Sequence, residues 1–308
     1  MSSLYASALR AAHDAAASQH YPQAALYVVA TPIGNLADIS LRALHVLALV
    51  DTIACEDTRH TQSLLQAYGI DKSSAHLMAV HQHNEAEASV AVIDRLRQGL
   101  RVAYVSDAGT PAISDPGARL VAAVREQGLR VMPLPGASSV TTALSAAGLS
   151  GKAGEGEPAS GFVFVGFLPS KAGERALAVQ ALAAEPRSSV LMEAPHRIEA
   201  LALALSVLGD RPVTVCRELT KQFEEIATVK TGDLPAWLAE QSNRLRGEFV
   251  LVLHPAREAK EAGQEQRVLK LLLAELPLKT AVKLAADLTG THRNALYDMA
   301  LTLKKEAL

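Results

Sequence analysis

From Leu26 onward the chain alternates short apolar runs with longer amphipathic ones, and no other feature limits its possible folds so strongly. Residues 26–30, 52–55, 77–80, 101–106 and 130–133 read as strands. Their interiors are apolar with little alternation, as strands covered on both faces require. Helical patterns fall between them at 40–49 and 85–98, where Val90, Ile93 and Leu96 keep a three-residue step along one face. A third helix is expected to start at Asp115-Pro116, an acid followed by proline at a first turn. Strand–helix alternation of this kind predicts an α/β fold with a mostly parallel sheet.

The chain has 308 residues, more than one hydrophobic core usually serves, so several domains are expected. Residues 148–160 carry Gly, Glu, Lys and Pro with almost no apolar residue and mark a boundary. A second βα series follows, with strands at 161–166, 189–192, 212–216, 225–229 and 249–254 and helices at 174–184 and 197–208. After Pro255 a charged linker leads to three helical patterns at 265–276, 279–288 and 293–304. The last two are joined across Thr289-Gly290-Thr291 with helix-turn-helix spacing, although a helical cap on the preceding domain fits the same pattern. The expected layout is a flexible extension at 1–24, α/β domains at 25–150 and 161–255, and an all-α tail at 264–308.

Composition excludes several classes. Thirty Lys+Arg against 32 Asp+Glu leave a net charge of −2, so no global field draws the chain onto a polyanion, and any nucleic acid must be held by a local patch. Cys55 and Cys216 stand far apart without a CxxC, which argues against a disulfide scaffold and a thiolate zinc site and points to reduced residues of a cytosolic protein. The first 24 residues are Ala-rich with Arg10 as their single Lys or Arg, unlike a signal peptide. The charge-free stretch 131–151 contains Pro133 and Pro135 and reads as strand, loop and helix, not as a membrane span. No metal is expected: His81 and His83 lack a third ligand at fixed spacing.

Three Gly/Pro-rich turns, Thr31 to Asn35, Asp107 to Pro111 and Pro133 to Ser139, each follow a first-domain strand. In open parallel sheets ligands sit beyond the carboxyl ends of strands, so together these turns suggest a small-molecule site. None is GxGxxG or GxxxxGK[ST], which disfavours a hydride-transfer enzyme and an NTPase. Polar clusters also end strands: 55–60, Ser106-Asp107, 193–197 and 217–221. Asp107 or Glu56 could act on a substrate proton, while Arg59, Arg197, Arg217 and Lys221, with Arg293 in the tail, could hold phosphates of a polyanionic substrate. Asp57 could equally cap a helix.

The runs 27–36, 54–59, 105–117, 135–139, Gly166-Phe-Leu-Pro169 and Glu193-Ala-Pro-His-Arg197 resemble the ribosomal RNA small subunit methyltransferase I family, a branch of the tetrapyrrole methylases. The resemblance runs from about Leu26 to His254, and the tail looks like the helix-turn-helix segment many members carry. It implies a two-domain tetrapyrrole-methylase-like α/β fold and S-adenosylmethionine-dependent 2′-O-methylation of a cytidine in the decoding region of 16S ribosomal RNA. The enzyme is expected to be a cytoplasmic homodimer with the cofactor between its α/β domains. The positions carried over for the cofactor are Pro32, Gly109, Thr110, Ile113, Ser138, Ser139, Met192, Ala194 and Leu219. Two other functions stay open: methylation of a tetrapyrrole or other small molecule, and non-enzymatic RNA binding in ribosome assembly.

Overall fold

The computed structural model describes residues 6–81, 83–114, 116–149, 161–256 and 264–306. They fall into two compact units, Met1–Pro255 and Ala256–Leu308. The first unit opens with α1 (Ala6–Ala16), β1 (Ala25–Val29), α2 (Leu41–Leu49), β2 (Thr52–Cys55) and α3 (Thr58–Tyr68). It continues through β3 (Leu77–Ala79), α4 (Glu85–Arg97), β4 (Val102–Val105), α5 (Ala118–Glu126), β5 (Arg130–Leu134) and α6 (Ser139–Ala146).

The first five strands form one parallel sheet in the order β3-β2-β4-β1-β5. β1, β2 and β4 are buried along their whole length, which is why their sequences do not alternate. Tyr27, Val29 and Ile53 face a core shared with Leu44, Leu47, Leu65 and Tyr68. Leu26, Ala54 and Tyr104 face the opposite core, with Val92, Leu96, Leu120 and Val124. The connection from β1 leads towards β2 and that from β4 towards β5 on the other side, so strand order reverses between these two neighbours. A crevice opens at such a reversal, beyond the carboxyl ends of the strands.

For residues 6–16 the reading of a flexible extension is corrected. Residues 6–16 form α1, whose Ala12 and Ala16 are 0% and 1% exposed in the core beside α2 and α3. Four-residue spacing stacks these two small side chains on one helix face, where they allow close packing. Asp115, the expected helix start, lies outside the described residues. α5 begins after Gly117, and its first turn is capped from a distance by Glu85. The buried Oε1 of Glu85 accepts from Gly117 N, Arg119 N and Leu120 N at 2.9, 3.0 and 3.2 Å.

The second half holds β6 (Phe162–Phe167), α7 (Ala172–Ala183), β7 (Ser188–Glu193), α8 (Ile198–Leu205), β8 (Pro212–Arg217), β9 (Glu225–Lys230), α9 (Leu234–Ala239) and β10 (Phe249–Leu253). Its sheet, β6-β7-β10-β8-β9, departs from the expected βα series. Only β6 and β7 run parallel, and β10–β7, β10–β8 and β8–β9 are antiparallel. The loop 218–224 is too short for a helical crossover, so β9 returns alongside β8 as a hairpin. One face of this sheet packs on α7, α8 and α9. The other, through Val190, Cys216, Val250 and Val252, packs on Val140 and Ala143 of α6, which joins the two sheets into one unit. Most of the expected boundary, residues 150–160, lies outside the described residues.

In the second unit α10 (Gln264–Glu275), α11 (Leu278–Thr289) and α12 (Arg293–Glu306) enclose their own core of Leu269, Val282, Ala285, Leu296, Ala300 and Leu303. α11 ends on Gly290 at φ +67°, a left-handed cap that turns the chain into α12. Among the described residues no helix is long and apolar enough to cross a membrane.

Candidate active site

The three Gly/Pro-rich turns are tied to one another at the carboxyl end of the first sheet. Thr31 and Gly109 exchange backbone hydrogen bonds at 3.0 Å each, and Thr31 Oγ1 donates to Ser106 O at 3.2 Å. Thr110 Oγ1 donates to Ala137 O at 3.0 Å, which links the turn after β4 to the one after β5. Gly109 sits at φ +80°, where a side chain is strained, and a Cβ there would lie 3.3 Å from Ile33 Cγ2. These turns and the ends of β6, β7, β8 and β10 surround a cavity of about 400 Å³.

Of the nine positions expected at the cofactor, Gly109, Thr110, Ile113, Ser138, Ser139, Met192, Ala194 and Leu219 line this cavity. Pro32 does not: it is buried, and its neighbour Ile33 lines the wall instead. Glu56 and Asp107 both line it. Asp107 is held in place by the Asp57 N–H, which donates to Oδ1 at 3.2 Å. Asp57 itself caps α3, accepting from Arg59 N at 2.8 Å, and hydrogen bonds from Arg59 hold its carboxyl well below the usual range.

Sequence reasoning did not single out Phe164, Phe167, Cys216, Glu248 or Val250, which also line the cavity. The motif Gly166-Phe-Leu-Pro169 was the available signal for Phe167. Burial pushes the Cys216 thiol up to about 11, so it stays neutral in the cavity wall at ordinary pH.

The cations expected at RNA phosphates are not on the cavity wall, and one of them, Arg217, is corrected. Arg217 is 5% exposed; its guanidinium faces Glu225 Oε2 at 3.3 Å and donates to Phe223 O and Arg246 O at 3.1 and 3.4 Å. Arg197 is paired with buried Glu193, Nε to Oε1 at 3.1 Å, and also donates to Leu168 O. Arg217 serves the fold, because a buried guanidinium must find internal acceptors, whereas the Arg197 side chain keeps 25% of its surface exposed beside Glu193. Lys221 bridges Glu218 and Glu248 at 2.8 and 3.0 Å. Burial pushes its pKa down, but these hydrogen bonds outweigh that and hold it above the ordinary value. Its stem crosses to the first half, where a Cβ on Gly34 would come within 2.5 Å of Lys221 Cγ. Arg59 stays exposed, joined to Asp57 at 2.9 Å, and Arg293 in the second unit faces Asp287 at 3.4 Å. Exposed pairs of this kind contribute roughly 0–1 kcal/mol and open readily to another anion.

The cavity therefore combines carboxylates, apolar walls and a helix start. Ser138, the N-cap of α6, makes no side-chain cap, and Ser138, Ser139 and Val140 line the cavity, so the positive end of α6 borders it. Such a site fits S-adenosylmethionine. The helix start suits its carboxylate, Glu56 and Asp107 suit its sulfonium, and Met192, Leu219 and Val250 suit its flat base. Among the described residues no group of three or more His, Cys, Asp or Glu is gathered to hold a metal.

Comparison with known proteins agrees with this geometry. The family profile of the tetrapyrrole (corrin/porphyrin) methylases matches residues 25–235, and that of the RsmI C-terminal HTH domain matches residues 259–304. The chain is 49% identical to ribosomal RNA small subunit methyltransferase I of Escherichia coli O157:H7, covering 91% of this chain and 95% of that one. It is 48% identical to the protein of the same name from Pseudomonas aeruginosa, over 90% and 96%. Among solved structures, a uroporphyrin-III C-methyltransferase from Thermus thermophilus complexed with S-adenosylhomocysteine superposes with a TM-score of 0.51 at 17% identity, covering 74% of this chain and 96% of that one.

Proposed function

The chain belongs to the ribosomal RNA small subunit methyltransferase I family, within the tetrapyrrole methylases, and from that membership we propose that it methylates the 2′-oxygen of a cytidine in the decoding region of 16S ribosomal RNA. It is an S-adenosylmethionine-dependent methyltransferase. The observation that supports the reading most is the cavity itself, lined by Glu56, Asp107 and the start of α6 and, among the described residues, by no Lys or Arg.

When bound, S-adenosylmethionine supplies an electrophilic methyl group on a positively charged sulfur. The chain aligns the acceptor oxygen with that methyl and keeps water out, which can lower the barrier without metal or covalent nucleophile. Ser138 and Ser139 would hold the carboxylate end, and Met192, Ala194, Leu219 and Val250 would hold the base. Asp107, oriented by the Asp57 N–H, or Glu56 takes the proton of the ribose hydroxyl. Arg59 and Arg293, both exposed, supply phosphate contacts, and the helical tail adds affinity for RNA within the small ribosomal subunit. The protein acts in the cytoplasm as a homodimer.

The reading is tested by incubating labelled S-adenosylmethionine with small subunits from methylation-deficient cells and, separately, with a porphyrinoid. Label on the subunit alone is expected; label on the porphyrinoid alone overturns the reading. Asp107→Ala and Glu56→Ala enzymes that both keep full turnover and normal cofactor affinity would remove the two base candidates.

A further inference from the structure

Strand β6 is irregular where it meets the cavity. Its parallel pairing with β7 runs from Phe162↔Ser188 to Phe164↔Val190, then skips Val165 and resumes at Gly166↔Leu191 and Phe167↔Met192. Gly166 takes φ +72°, the left-handed conformation that favours glycine. In a regular strand Phe164 and Phe167, three residues apart, would point to opposite faces of the sheet. The extra residue returns Phe167 to the face of Phe164, and both line the cavity with Met192. Bulges in parallel pairs are rare, and next to active sites they re-aim a side chain.

The two rings then differ in cover. Phe164 packs against the core of Val190, Cys216 and Val252. Phe167 is 51% exposed, and Ile113, from the loop after β4, is 55% exposed. These are the two large hydrophobic side chains that both line the cavity and remain exposed among the described residues. Size says what they face. A cavity of about 400 Å³ lies near the lower end of the roughly 300–1,000 Å³ that takes one drug-sized ligand. That is the space of one ligand of cofactor size, so an acceptor nucleoside bound at the same time is expected at the mouth. A nucleoside turned out of an RNA stack loses its neighbours and binds best where an aromatic face replaces them.

We propose that Phe167, presented by the β6 bulge, is the surface on which the acceptor nucleobase stacks, with Ile113 bordering the same mouth. The inference rests on the RNA-methyltransferase reading above and adds a residue that positions the substrate. It is tested with Phe167→Ala, Phe167→Leu and Phe167→Trp enzymes. The readouts are KM and kcat for unmodified small subunits, and cofactor affinity by calorimetry in the absence of RNA. Base–aromatic stacking makes the expected rise in KM for the subunit roughly 5- to 150-fold in Phe167→Ala. In Phe167→Leu the KM should rise nearly as far, and in Phe167→Trp it should stay close to wild type. Cofactor affinity should change less than KM in all three, and retained cofactor binding also shows that they fold. Unchanged KM in Phe167→Ala, or a loss confined to cofactor affinity, overturns the stacking role. Absence of transfer by the wild-type enzyme onto subunits would instead overturn the function reading itself.

Discussion

Replacing Glu85 by alanine should loosen the loop that carries Gly109, Thr110 and Ile113 of the candidate cofactor cavity, although Glu85 is not on the cavity wall. Its Oε1 accepts from three N–H groups at the start of α5, those of Gly117, Arg119 and Leu120. Gly117 has no side chain with which to cap the helix, and a Cβ there would lie 2.1 Å from Tyr104 Cε1, so no local residue can take over. The bonds to Gly117 and Leu120 are buried. Leaving two buried donors unsatisfied at about 1–3 kcal/mol each gives a loss of about 4 kcal/mol, above the roughly 0.5–2 kcal/mol of an ordinary cap. At roughly 2–4 °C per kcal/mol for a unit of this size, the melting temperature should fall by about 10 °C. Glu85→Gln keeps an acceptor and should fall about half as far. The strand of chain from Gly109 to Ser114 runs into this helix, so cofactor affinity measured by calorimetry should weaken in parallel. A Glu85→Ala protein that melts within about 2 °C of wild type and binds cofactor equally well would refute the capping account.

Gly34→Ala should push Lys221 and Thr220 off the turn after β1, because its Cβ would stand 2.5 and 3.0 Å from Lys221 Cγ and Thr220 Oγ1. Overpacking of about 1–3 kcal/mol should appear as lower thermal stability and weaker cofactor binding in calorimetry, and unchanged values would contradict it. Arg217→Met should cost stability, about 3–5 kcal/mol in urea unfolding, while Arg59→Ala should leave stability alone and lower the salt slope of RNA binding by about 1. The opposite pattern would restore Arg217 as an RNA ligand. The Cys216 pKa of about 11 lies above the roughly 8.5 of an unfolded thiol. The unfolded chain therefore loses that proton first, and stability should decline as pH rises from about 8.5 towards 11. Urea midpoints should show this decline in wild type and less of it in Cys216→Ala.

The first sheet was legible because burial on both faces writes itself directly into β1, β2 and β4 as runs without polar alternation. The site was legible because Gly109 and its companion turns must stand where the chain reverses beyond those strands. α1 was missed because its buried stripe is alanine, which contrasts weakly with its polar face. The antiparallel course of β10 was missed because strand direction leaves no period in a sequence. Arg217 misled because a charge after a strand looks the same whether it meets solvent or an internal carboxylate. The partner of Arg217, Glu225, comes from the neighbouring strand. Phe167 was hidden because the bulge at Val165 alters the face it occupies, and a count of alternating residues cannot see an inserted one.

The most direct test of the account is mass spectrometry of nuclease-digested small-subunit RNA from cells lacking this enzyme, before and after incubation with the purified protein and S-adenosylmethionine. The account predicts one added methyl group, carried by the ribose of a single cytidine in the decoding region, and its loss when Asp107 and Glu56 are both replaced. A methyl group on a base, on another nucleotide, or on no RNA at all would contradict it.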